Sequence, residues 1–129
     1  MSLEVQIDEM DSCLSVKAAG QYTLAGLSAV LDTAKEESEK RGSRKVLLDI
    51  TEVAGPIPFI DRLALGEHCA RVWKRALRIA IASRDGGLDK FFEDFTWNRG
   101  VVVAVVPTEA AALDWLNRGS SKAPGASDA

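Results

Sequence analysis

Three short apolar runs constrain this chain more than any other feature: KVLLDI at residues 45–50, LRIAIA at 77–82 and VVVAVV at 101–106. Each is too short for a buried helix, is rich in branched residues and abuts turn-forming sequence. Each therefore reads as a strand covered on both faces. The segments between them follow a helical period. Leu24, Leu27, Leu31 and Ala34 space a first helix behind the N-cap Thr23, and Gly42 stops it. Ile60, Leu63, Glu67, Ala70, Trp73 and Leu77, with Ala64 and Gly66 beside them, space a second over about residues 58–76. Leu88, Phe91, Phe92 and Phe95 mark a third, ending at Asn98-Arg99-Gly100. Ala112, Leu113 and Leu116 mark a fourth, opened by Pro107-Thr108 and closed by Gly119. Strands alternating with helices impose crossovers of one hand and a mainly parallel sheet.

The N-terminal segment reads differently. Leu3, Val5 and Ile7 alternate with Glu4, Gln6 and Asp8; after a polar turn at 9–12, Leu14, Val16 and Ala18 alternate with Ser15, Lys17 and Ala19 up to about Tyr22. This period of two predicts an antiparallel hairpin. The element order is β-β-α-β-α-β-α-β-α: an α/β fold with a mixed, mostly parallel five-stranded sheet and about four helices. A length of 129 residues suits a single domain. That domain is expected over 1–119, followed by a flexible tail at 120–129, where residues are small and no apolar period persists.

Charge removes some function classes. Sixteen Lys and Arg stand against nineteen Asp and Glu, a net charge of −3, so no global positive field draws in nucleic acid. The basic residues Arg71, Lys74, Arg75 and Arg78 fall late in the second helix, where the helix dipole favours cations. No apolar run approaches the ~18 residues of a membrane span, so no membrane insertion is expected. Residues 1–10 alternate and carry acids, unlike a signal peptide. Cys13 and Cys69 make no disulfide framework. A reducing cytoplasm is the expected location.

Reactive constellations are few. His68 is the only histidine, and its neighbour Cys69 points about 100° away on a helix, so the two make no base–nucleophile pair. No zinc-ligand spacing occurs, and neither metal nor cofactor is expected. Asp49, near the end of the third strand, and Asp61, at the start of the second helix, are the candidate acid pair. Their structural alternatives are loop-amide binding for Asp49 and a first-turn dipole role for Asp61. No residue is assigned as catalytic. Thr51, Ser83, Arg84, Gly86 and Gly87 lie at carboxyl ends of strands, where α/β sheets take small ligands such as a nucleotide, anion or lipid. The fuller glycine-rich pattern and a P-loop lysine are missing. Trp73 and Trp97 fall on apolar faces. Trp115 is offset from the inward stripe, a candidate exposed contact point.

The segment KVLLDITEVAGPIPFIDRLALG, residues 45–66, resembles the central signature of STAS domains, the sulfate-transporter and anti-sigma-factor-antagonist fold. LRIAIA, Asn98-Arg99-Gly100 before a valine-rich strand, and Ala111-Ala112-Leu113-Asp114-Trp115-Leu116 are similar to the broader SpoIIAA-like group. The resemblance spans about residues 3–117. It implies a bacterial, non-enzymatic regulatory module that binds a protein partner or pairs with itself as a homodimer. In the phosphorylated members of that family, a Ser or Thr opening the second helix accepts phosphate. The matching positions here are Arg62 and Leu63, which have no hydroxyl, so this chain is not expected to be switched there. The expected contact residues are Ile57, Phe59, Arg62 and Leu63, with Trp115. The alternative is the small-ligand domain.

Overall fold

The computed structural model describes residues 3–73 and 77–118. Nine elements follow in order: β1 (Glu4–Glu9), β2 (Leu14–Gln21), α1 (Leu24–Arg41), β3 (Lys45–Ala54), α2 (Phe59–Val72), β4 (Arg78–Ala82), α3 (Lys90–Trp97), β5 (Val102–Val106) and α4 (Glu109–Asn117). The expected tail, the closing Gly119, and Lys74 and Arg75 lie outside the described residues.

Local signals set the helix limits. The Thr23 hydroxyl accepts from the Gly26 amide at 3.0 Å, and Gly42 leaves α1 at φ 67°, a conformation that costs glycine little. Asp89 caps α3 by accepting from the Phe92 amide at 3.1 Å, and Thr108 caps α4 by accepting from the Ala111 amide at 3.1 Å. Pro58 opens α2 with no side-chain cap.

The sheet order is β1-β2-β3-β4-β5. β1 is antiparallel to β2, and every later pairing is parallel. Crossovers of one hand that always step in the same direction place their helices on one face. Accordingly Leu27 and Leu31 of α1, Leu65 of α2 and Phe92 of α3 share one core with Val16, Leu48, Ile79 and Val103. Only α4 follows the last strand, so it alone covers the other face. Ala112, Trp115 and Leu116 pack there on Cys13, Leu47, Ala80 and Ala104. Facing helices lie 8–10 Å apart, whereas strands are ~4.8 Å apart, so one helix covers only a few strands. The face over β1 and β2 stays polar, with Gln6, Asp8, Ser15 and Lys17.

Several details differ from the sequence reading. β3 does not stop at Ile50; it continues through residues 51–54, paired with β2 beyond a bulge near Lys17 and Ala19. Leu24 is exposed, and Val30 takes its place in the buried line of α1. On α2 the inward set is Leu65, Gly66, Cys69 and Trp73, not Ile60, Leu63 and Glu67. The cause is helix-to-helix approach: a Cβ added to Gly66 would stand 2.6 Å from Cδ1 of Phe95, so the bare glycine must face α3. That rotation turns Ile60 outward. Val5 and Phe91 are also exposed, while Glu93 and Thr96 are buried.

Candidate docking surface on the second and third helices

Phe59 and Ile60 occupy the first turn of α2 and expose 54% and 68% of their surface. Phe91, in the first turn of α3, is exposed beside them. The Phe59 and Phe91 rings lie 4.8 Å apart and tilted by 45°, and Phe91 continues to Phe95 at 5.9 Å. Both separations lie within the ~4.5–7 Å range over which aromatic rings attract one another. The guanidinium of Arg99 sits 3.5 Å over the Phe95 ring, and that of Arg62 lies 5.8 Å from the Phe59 ring. The result is one contiguous apolar ribbon with a cationic rim.

Two clasps fix the platform. Arg62 Nη1 donates to Asp89 Oδ2 at 2.7 Å, while the other oxygen of Asp89 caps α3. One carboxylate thus joins the starts of both helices. On the opposite flank the Tyr22 hydroxyl donates to Asp61 Oδ2 at 2.8 Å. Burial raises the Tyr22 pKa above its ordinary value, and the hydrogen bond to Asp61 raises it further. The loops beneath are sewn together, because the Ile57 amide donates to the Gly86 carbonyl at 2.7 Å.

The expected contact residues divide. Phe59 is exposed, and Arg62 and Leu63 are half-buried. Ile57 is 4% exposed and forms part of the main core, so it offers no contact surface. Trp115 is only 1% exposed. The Arg78 guanidinium stacks 3.8 Å from its ring, and Arg78 Nη2 donates to the Trp115 carbonyl at 3.2 Å. The offset from the inward stripe that suggested exposure instead places Trp115 beneath an arginine lid. Trp97 is half-buried rather than core, with Nε1 donating to the Val103 carbonyl at 2.6 Å. The sequence reading missed Ile60 and Phe91 because both fit an inward helical line. The signal that could have found them was Gly66, whose close approach to a neighbour dictates how α2 is turned.

The small-ligand residues are engaged in structure. Thr51 lies within β3, and its hydroxyl donates to Asp49 Oδ1 at 2.7 Å. Ser83 is buried, and its hydroxyl accepts from the Leu88 amide at 2.9 Å. A Cβ on Gly87 would meet that hydroxyl at 2.4 Å, so the turn closes tightly on the serine. Gly86 carries φ 84°, and Arg84 is exposed. The space lined by Ser83, Arg84, Gly87 and Ile57 holds about 10 Å³, roughly one water. Ser83, Arg84 and Gly87 come together around that space, whereas Thr51 and Gly86 do not line it.

The carboxylates belong to separate networks. Asp49 is buried, accepts from the Thr51 amide and hydroxyl, and lies 3.8 Å from Lys17; Asp61 accepts from Tyr22. Asp49 thus binds a backbone amide, as its structural alternative foresaw. His68 bridges α2 to α1, with Nε2 2.7 Å from Asp32 Oδ1. Cys13 and Cys69 are free and buried in different cores, and burial raises both thiol pKa values. Among the described residues no helix is long and apolar enough to cross a membrane.

Comparison with known proteins agrees with the element order. The chain is similar to an anti-sigma factor antagonist from Mycobacterium paratuberculosis, with a TM-score of 0.61 and 14% identity over 90% of this chain and 95% of that one. A protein of SpoIIAA-like fold from Shewanella loihica aligns with 89% of this chain and 94% of its own, at 24% identity and a TM-score of 0.46. No protein-family model matches the chain, and no curated protein matches it by sequence. The architecture is a STAS-like α/β fold. An identity of 14% speaks to that fold and leaves function to the site.

Proposed function

We propose that this protein is a non-enzymatic interaction module that docks a protein partner on Phe59, Ile60 and Phe91. The observation carrying this reading is the contiguous exposed aromatic ribbon with Arg62 and Arg99 at its rim. Single exposed apolar residues are ordinary; a connected patch with a polar rim marks an interaction site. Both clasps hold the ribbon in place before binding, which limits the ordering cost of association. The partner's face is apolar at its centre, with a carboxylate set to meet the Arg99 guanidinium at the rim. Arg62 is a positioning residue held to Asp89, not a free anchor. Regulation by phosphate at positions 62 and 63 has no hydroxyl to use.

The test is capture from native cell extract with the wild-type chain, with Phe59→Ala/Phe91→Ala, and with Met10→Ala, an exposed apolar residue in the β1–β2 turn at the opposite end of the sheet. A partner lost only with the aromatic double variant is then purified. Its affinity is expected to fall by at least ~2 kcal/mol, about thirty-fold, as hot-spot truncations do. Equal affinity for both variants removes this surface. If the wild-type chain self-associates in light scattering and the double variant does not, the partner is a second copy.

A further inference from the structure

We propose that the outer edge of β1 takes up an extended segment of another protein, a strand alternating apolar and basic residues. The surface lies apart from the aromatic ribbon and extends the function reading rather than depending on it. Among the described residues β2 is the only strand beside β1, and no side chain is hydrogen-bonded to the backbone of residues 4–9. The backbone groups facing away from β2 are therefore a template for one more strand.

The two sides of that edge differ in chemistry. On the α1 side, Leu3 and Val5 border a groove of about 500 Å³ closed by Ala25, Ala29 and Val30. Small side chains on α1 leave room there for the apolar residues of an added strand. On the other side, pairing aligns Glu4 with Ala19 and Ala19 with Glu52, in one row across the sheet. Glu4, Gln6, Lys17 and Glu52 border an open trough of about 660 Å³. The ammonium of Lys17 is already shared between Asp49 and Glu109, 3.8 Å from each. Among the described residues Glu4, Asp8 and Glu52 form no ion pair. Successive residues of a strand point to opposite faces, so one incoming segment meets both demands by alternation. A second copy of β1 is the poorer match: its sequence, EVQIDE, carries three acids and no cation, so it brings acid to an acidic edge in place of the base that Glu4 and Asp8 lack.

The experiment uses the full chain and three labelled peptides, each as long as β1. One alternates valine and lysine, one has the same composition in two blocks, and one alternates valine and glutamate. Binding is followed by fluorescence anisotropy at low and high salt. The valine–lysine peptide should bind about ten-fold tighter than either other peptide, with salt weakening it, and should protect amides of residues 4–9 from hydrogen exchange. Glu4→Lys/Asp8→Lys should invert the preference toward the valine–glutamate peptide. Phe59→Ala/Phe91→Ala should leave peptide binding unchanged, which separates this surface from the aromatic ribbon. Equal binding of alternating and block peptides, protection outside β1, or an unaltered preference in the charge-reversed variant would each overturn the proposal. So would a dimer forming through β1 in the wild-type chain.

Discussion

The two edges of the sheet carry opposite solutions to one problem. Every outer strand presents backbone groups that its sheet leaves unpaired. At β5 the chain seals them with its own third helix. The Val101 amide donates to the Thr96 carbonyl at 3.0 Å, the Val103 carbonyl accepts from Trp97 Nε1 at 2.6 Å, and the Val105 amide donates to Glu93 Oε1 at 2.8 Å. Glu93 is 2% exposed, a buried carboxylate set against a strand edge. At β1 no helix among the described residues reaches across, and what guards the strand is charge, through Glu4, Asp8 and Glu9. The sealed edge sits beside the aromatic ribbon of α3, so the helix that presents the ribbon is also locked to the sheet. Acids keep the open edge from pairing with itself while leaving it available to a basic strand.

Breaking the seal tests this contrast most severely. Glu93→Ala should cost about 1–3 kcal/mol in urea unfolding, since it strands the Val105 amide, whereas Glu93→Gln keeps an acceptor and most of the stability. Glu4→Ala on the other edge should stay within about 0.5 kcal/mol, as exposed substitutions do. Equal costs at the two edges would erase the distinction. Trp97→Phe removes one donor and keeps most of the ring, so a loss of about 0.5–1.5 kcal/mol is expected. Hydrogen exchange sharpens the same point: the Val101 and Val105 amides should be protected close to global unfolding, and the outward amides of β1 should exchange far faster.

The smallest effect concerns the clasp at the end of β2, on the open side. Tyr22 is the only tyrosine, so absorbance near 295 nm reads its ionisation alone. Its pKa is raised in the folded state, first by burial and then by Asp61. A raised pKa means that the neutral phenol is favoured on folding. This stability is complete below the ordinary tyrosine value of ~10 and is lost as pH rises past it. The titration midpoint should lie above that of free tyrosine. Asp61→Asn should move it toward the ordinary value without reaching it, because the larger cause remains. Tyr22→Phe should flatten the alkaline fall in stability, and an unshifted midpoint would show that the clasp does not hold in solution.

Much of this architecture was legible in the residues. The apolar runs at 45–50, 77–82 and 101–106 announced the parallel strands, and Thr23, Gly42 and Thr108 marked helix ends through their own hydrogen bonds or backbone freedom. The site was legible only in part. Phe59 beside a proline-bounded loop was read as outward and is exposed, whereas the exposure of Ile60 and Phe91 was not read, because each also satisfies an inward helical period. Trp115 was misplaced, since its cover is supplied by Arg78 from another element.

Periodicity and capping are local, so the amino-acid order alone determined which stretches are strands and which are helices, and hence the STAS-like succession. Which side of each helix faces inward is a joint property of surfaces far apart in the chain. Only the tertiary structure decided that Gly66 would nest against Phe95, that α3 would close one border of the sheet, and that β1 would be left open. The reason is geometric: close approach at one glycine fixes a rotation, and no single-segment pattern contains its neighbour's shape.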